Sequence, residues 1–256
     1  MTKSACLPAT ILLSLTLGLP GKARADRRIF AFTYPHMTLP QGTLELEHYL
    51  DLGLNNWDNP ATPEVERDWS RPSWRHMIEL EYGITDRLDF GFYNVFSQAP
   101  YGTLRFDGIM ARSRYRFADP GVHAVDTAIY GEVIYFGDEI ELEQKVILSK
   151  ILGRVEIAFN GTIEEGFEIE DKEWEFTLAP SLGIGYHVAP ILAFGVEYQG
   201  RLKMEVEEVK YFAHYFGPAL SVASGPFYWT LGAQWQLGKR SDMPSIQVRS
   251  LLGITL

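Results

Sequence analysis

Cysteine is almost missing from this chain: the single residue, Cys6, falls within the first 25 positions, leaving none in the remainder. An exported protein without disulfides must be held together by its fold alone, which a closed barrel of this size can do. Cys6 also lies too early, behind the wrong residues, to serve as a lipoprotein attachment site. Long apolar runs are missing as well. No window after residue 25 reaches the roughly 18 uninterrupted apolar residues of a membrane-spanning helix. Positive charge is scarce, with 23 Lys and Arg against 33 Asp and Glu. That balance has the wrong sign for nucleic acid.

The N-terminus carries Lys3, an apolar run from Leu7 to Leu19, and then Ala23-Arg24-Ala25, a small-x-small site for signal peptidase. Residues 1–25 are expected to be a cleaved export signal, leaving Asp26 first. The leader holds three of the 23 basic residues and none of the acidic ones, so the remainder stands at 20 against 33, a balance of −13. About 230 residues fit one barrel domain. The expected division is a signal at 1–25, a periplasmic segment at 26–41, and a barrel over 42–256.

What the chain does have is period two. Leu44, Leu46, His48, Leu50, Leu52 and Leu54 share one parity, while Thr43, Glu45, Glu47, Tyr49 and Asp51 share the other. Charges at every second place cannot line a helix core. Ile78, Leu80, Tyr82 and Ile84 alternate with Glu79, Glu81 and Gly83. Leu88, Phe90 and Phe92 then alternate with Asp89, Gly91 and Tyr93, across a hairpin at Thr85-Asp86-Arg87. Further strands are expected near 104–117, 124–136, 139–150, 154–164, 173–188, 192–203, 211–223, 227–237 and 245–256, about twelve in all. An even number leaves both chain ends on one side.

Connections alternate in length. Short turns such as Asp119-Pro120-Gly121, Leu152-Gly153 and Ser224-Gly225-Pro226 are expected in the periplasm. Longer polar loops are expected after the first, seventh and ninth strands, notably Asn55 to Trp74 and Glu164 to Lys172. Alternation cannot tell a lipid-facing barrel from a soluble one, but three features decide it. Many segments reach ten residues, about the length of a tilted bilayer crossing. Trp74, Tyr101, Tyr135, Trp174, Tyr186, Tyr198 and Trp229 sit near the ends of apolar faces, as interfacial girdles do. The chain also stops on an alternating strand, with Ile246, Val248, Leu252, Ile254 and Leu256 on its apolar side.

That strand, Gln247-Val248-Arg249-Ser250-Leu251-Leu252-Gly253-Ile254-Thr255-Leu256, resembles the terminal strand of bacterial outer-membrane barrels, although it ends in Leu rather than an aromatic residue. Gly42-Thr43-Leu44-Glu45-Leu46-Glu47, Tyr82-Gly83-Ile84-Thr85-Asp86-Arg87, and Phe106-Asp107-Gly108 with Arg112, Arg114 and Arg116 resemble the outer-membrane family named after the meta-pathway of phenol degradation and its putative-transporter relatives. The resemblance implies an outer-membrane barrel of Gram-negative type, a channel role, and recognition of the last strand by the barrel assembly machinery.

If apolar faces meet lipid, the opposite parity lines a lumen. It collects Glu45, Glu47, Glu79, Glu81, Glu132, Glu141, Glu143, Glu156, Glu175 and Glu197, with Arg112, Arg114 and Arg116 forming a basic ladder. An acidic wall opposite that ladder would set a transverse field across a pore. Alternatively the charges pair and fill the interior, since twelve strands lie between filled and open barrels.

An enzyme of the lipid-modifying type would use His214 with Ser221, Ser224 or Ser250. However, seven residues along a strand, from His214 to Ser221, is roughly 23 Å, too far for proton transfer; Ser250 on a neighbouring strand shares the outward parity, but no motif supports its pairing with His214. His48 and His76 lack a third ligand of matching spacing for a metal. The acidic stretches Glu164 to Glu173 and Glu205 to Glu208 read as solvated loops, or as seats for divalent cations that bridge lipopolysaccharide. Asn160-Gly161-Thr162 lies inside an expected strand and is discounted as a glycosylation acceptor. Gly183 and Gly185 have no following helix and read as strand glycines for bending and close packing.

The expectation is therefore an all-β, antiparallel, up-and-down transmembrane barrel of about 12 strands. It would pass a small polar, charged or aromatic solute without enzymatic activity, cofactor or bound metal, in contact with outer-membrane lipid and lipopolysaccharide. The alternatives are a closed-lumen structural or adhesive protein and an outer-membrane lipid-modifying enzyme.

Overall fold

The computed structural model describes residues 28–56, 73–98, 102–170, 172–205, 208–238 and 243–256. The expected leader, most of the Asn55 to Trp74 loop, and Tyr101 lie outside the described residues. The strands are β1 (Leu44–Asn56), β2 (Ser73–Thr85), β3 (Leu88–Gln98), β4 (Arg105–Arg116), β5 (Asp126–Tyr135), β6 (Glu139–Leu152), β7 (Val155–Glu168), β8 (Trp174–Leu178), β9 (Ser181–Ala189), β10 (Leu192–Glu205), β11 (Glu208–Ser224), β12 (Phe227–Gln236) and β13 (Pro244–Thr255). Every pairing is antiparallel, and all join neighbours in sequence apart from those at the β8/β9 position and the closing pair. β13 closes the sheet on β1 from Glu45↔Thr255 up to Asn56↔Pro244.

β8 and β9 share one place between β7 and β10, so the thirteen segments make a closed barrel of twelve strand positions. The expected strand 173–188 is interrupted at Ala179-Pro180, because proline has no N–H to give the ladder. Bonds either side bridge the break: Ala179 N–H donates to Thr162 O and Gly200 N–H to Pro180 O, both at 2.9 Å. In–out alternation carries through, with Thr177 and Ser181 both buried.

Strands on the long-loop side run further than the alternation suggests. β7 continues to Glu168, so Glu164 to Glu168 are strand rather than loop, and β10 and β11 extend to Glu205 and Glu208. The expected long connection after the ninth strand shrinks accordingly. Charged residues conceal this extension because their apolar partners on the other parity are few.

The two faces are inverted relative to a soluble protein. Glu79, Glu81 and Asp89 are 0% exposed, whereas Leu80 is 46% exposed, Ile129 45%, Val133 53% and Phe212 49%. Water would reverse that pattern; a hydrocarbon solvent outside and a polar lumen inside produce it. Tyr135, Trp174, Tyr186 and Trp229 lie at or near strand ends on the exposed side, where interfacial aromatics belong.

Candidate functional site: the lumen

Residues 28–39, expected on the periplasmic side, instead run inside the barrel. Ile29 and Leu39 are 0% exposed, Phe30 1% and His36 2%. An irregular segment buried this way must place its backbone donors, and the barrel wall supplies acceptors. Glu197 on β10 takes three successive N–H groups, from Ala31, Phe32 and Thr33, each at 2.8 Å. The Asn160 side-chain amide pairs with both polar groups of Tyr34, accepting from its N–H at 2.7 Å and donating to its carbonyl at 2.8 Å. Asn160 thus does for one residue what a neighbouring strand would do, which accounts for its place at mid-strand. Leu39 N–H donates to Asp89, Gln41 N–H to Asp86, and His36 N–H to Ser149 Oγ. In return Thr230 Oγ1 donates to the Arg28 carbonyl at 2.5 Å.

Inward-facing glycines make room for this segment. A Cβ built on Gly183 would come within 2.7 Å of the Phe30 ring, and one on Gly185 within 2.2 Å of Ile29 Cδ1. On Gly232 it would lie 2.5 Å from Ala31 Cβ. The Gly183/Gly185 pair, read from sequence as a bending device, is a seat for side chains. Gly183→Val is therefore expected to lift the segment off β9. Thiol labelling of Phe32→Cys, in a Cys6→Ser background, should accelerate, and Phe30→Ala should reverse the gain. Unchanged labelling would show that Phe30 does not rest on β9.

Below this segment, on the short-turn side, the lumen is filled by charge. Arg112 lies 2.6 Å from each of Glu79, Glu81 and Asp89, all four fully buried. Arg114 pairs with Asp89 at 2.8 Å and Glu81 at 3.1 Å. Arg28 reaches Glu47 at 3.4 Å and Glu81 at 3.9 Å, and its guanidinium lies 4.4 Å over the Tyr34 ring. The Tyr49 and Tyr228 hydroxyls donate to Glu47, and Thr255 Oγ1 donates to Glu45 at 2.7 Å.

The expected basic ladder facing an acidic wall across the lumen is thus corrected. Arg112 and Arg114 on β4 bind carboxylates on the neighbouring strand β3 and on β2, one strand further along the same wall, because isolated charges in a buried interior are too costly to leave apart. Arg116 sits at the turn end, its Nε donating to the Asp86 carbonyl at 2.8 Å. Glu156 meets His187 at 2.8 Å.

Above the segment, on the long-loop side, the lumen opens into a cavity of about 800 Å³ floored by Phe32 and Tyr34. Its β5–β8 wall carries Glu132, Glu139, Glu141, Glu143, Glu164 and Glu175. Lys145 pairs with Glu143 and lies 4.4 Å over Tyr130 and 4.7 Å over Tyr34. Arg201 pairs with Glu164 at 2.5 Å, Lys203 with Glu175, and Arg249 with Asp51 at 2.6 Å. Glu139 and Glu141 have no ion pair among the described residues, so the wall keeps an acidic excess.

Of the residues expected to line the lumen, Glu45, Glu47, Glu79, Glu81, Arg112, Arg114, Arg116, Glu156 and Glu197 are buried on the inward side. Glu175 belongs to the upper cavity. Asp89, Lys145, Asn160, Arg201 and Arg249 also face the lumen and are not among the lining residues expected from sequence, where Asn160 enters only as a discounted glycosylation acceptor. Inward glycines on β9 and β12 were the available signal for an occupant. His214 faces outward and bonds the Tyr198 hydroxyl at 2.5 Å, whereas Ser221 faces inward against Thr230; Ser250 accepts from Trp229 Nε1 at 2.9 Å.

A closed, inverted, twelve-position antiparallel barrel with a polar interior is the architecture of a transmembrane β-barrel. Among solved structures, the fold is similar to that of an outer-membrane channel from Pseudomonas putida F1, at TM-score 0.62 and 10% identity, over 86% of this chain and 98% of that one. It is also similar to the NanC porin, at TM-score 0.53 and 7% identity, over 83% of this chain and 98% of that one. No protein-family model matches the chain, and no curated protein matches it.

Proposed function

We propose that this protein is an outer-membrane channel for small polar or charged solutes, aromatic ones included, with cations favoured, and that residues 28–39 close it at rest. The carrying observation is the upper cavity: a solute-sized space whose wall keeps unpaired carboxylates at Glu139 and Glu141 above an aromatic floor. Carboxylate rings favour cations in pores, and rings such as Tyr34 and Tyr130 already hold the Lys145 ammonium. Both similar structures are named as a channel or a porin, in keeping with this reading. So is the resemblance of the sequence to the meta-pathway of phenol degradation family. Export by a leader removed after Ala25, assembly through the last strand, and contact with lipopolysaccharide belong to the same proposal.

The test is single-channel recording of the refolded protein in a planar bilayer. Openings that favour cations over anions are expected, and Glu139→Gln with Glu141→Gln should reduce that preference. The filled short-turn half favours a second reading, a closed-lumen structural or adhesive protein. Silence both in the full chain and in variants that release residues 28–39 would establish the second reading and remove the first.

A further inference from the structure

His48 on β1 and His76 on β2 both face outward, away from the lumen and among Leu46, Ile78 and Leu80. Register sets them diagonally: His76 lies opposite Leu50, two residues from His48. Their rings stack with centroids 5.5 Å apart at 23°, and His48 Nε2 lies 3.2 Å from His76 Nδ1. One nitrogen of each ring is used in that contact. Trp229 and Ser250, also outward, pair with each other in the same way.

The 3.2 Å separation is close to the bite of a metal ion. Two imidazole nitrogens about 2.0–2.1 Å from a tetrahedral zinc lie roughly 3.3–3.4 Å apart. We propose that His48 and His76 chelate a zinc-class divalent ion on the outer wall of the barrel, and that the same pair from a second copy of the chain completes the site. Two nitrogens are half of a tetrahedral set, and the surrounding belt has little water to fill the rest. Copies in one membrane share an orientation, so a two-fold axis along the membrane normal brings both pairs to the same depth. On binding, the ring that donated in the His–His contact passes to its other tautomer, freeing both facing lone pairs for the ion.

The test titrates zinc sulfate into the full barrel refolded in detergent micelles, following bound metal by calorimetry and mass by light scattering. The expected result is one zinc per two chains, with a dimer that EDTA reverses, both lost in His48→Ala and in His76→Ala. Heat-modifiable gel mobility shows that these outward variants are folded. Zinc binding by the parent chain no stronger than by a variant carrying both His48→Ala and His76→Ala would overturn the proposal, as would one zinc per chain on a monomer.

Discussion

Glu197→Ala combined with Asn160→Ala is expected to convert the refolded barrel from mostly closed to mostly open in single-channel recordings. The Glu197 carboxylate accepts three backbone N–H groups at 2.8 Å, and charge-assisted bonds are worth about 1.5–3 kcal/mol each. Asn160 adds two neutral bonds of about 1 kcal/mol each. Water entering from the upper cavity would replace part of this, leaving a net loss of about 4 kcal/mol, or roughly a thousandfold in the closed-to-open ratio. Thiol labelling at Phe32→Cys should rise in parallel. If conductance and labelling both match the parent chain, residues 28–39 do not gate the lumen.

Arg112→Met is expected to destabilise the barrel by about 3–5 kcal/mol, the cost of breaking a buried ion pair by removing one partner. Arg112 touches Glu79, Glu81 and Asp89, each at 2.6 Å. Methionine would leave three buried carboxylates with Arg114 beside Glu81 and Asp89 and Arg28 3.9 Å from Glu81. The same change with Glu79→Gln should recover part of the loss, because one of the orphaned charges goes with it. The two costs are then non-additive, as expected for contacting residues. The measurement is the urea midpoint of folding into lipid vesicles for both single variants and the double. Strict additivity would mean that Arg112 and Glu79 are not energetically coupled, contrary to the geometry. The pairing also separates the two halves of the lumen: the lower half is a stability device, and the upper half carries the solute reading.

Much of this architecture was legible in the sequence because a strand has a period of two. Glu45 and Glu47 against Leu44 and Leu46, or Glu79 and Glu81 against Ile78 and Leu80, separate the two faces of the wall without any knowledge of the neighbours, and strand length, aromatic placement and the last strand say which face meets lipid. Turns such as Thr85-Asp86-Arg87 separate one strand from the next. The acidic and basic residues could be assigned to the interior, but not to one another. Parity alone allows Arg112 to face an acidic wall across a pore; only the registers of β2, β3 and β4 bring it against Glu79, Glu81 and Asp89. Pro180 interrupts a strand without altering its parity, so alternation passed over the break.

The segment 28–39 shows the limit most clearly. It has no alternation, and its hydrogen-bond partners lie as far away as Thr230, 202 positions from Arg28, and Arg249, 218 positions from Ala31. The sequence by itself determined an inverted β-barrel: solvent exposure of every second residue is a local property, written in the order of side chains. Only the tertiary structure decided what fills that barrel. Lumen contents depend on which distant residues closure brings face to face, and on whether glycines such as Gly183 and Gly232 leave space for a chain to enter.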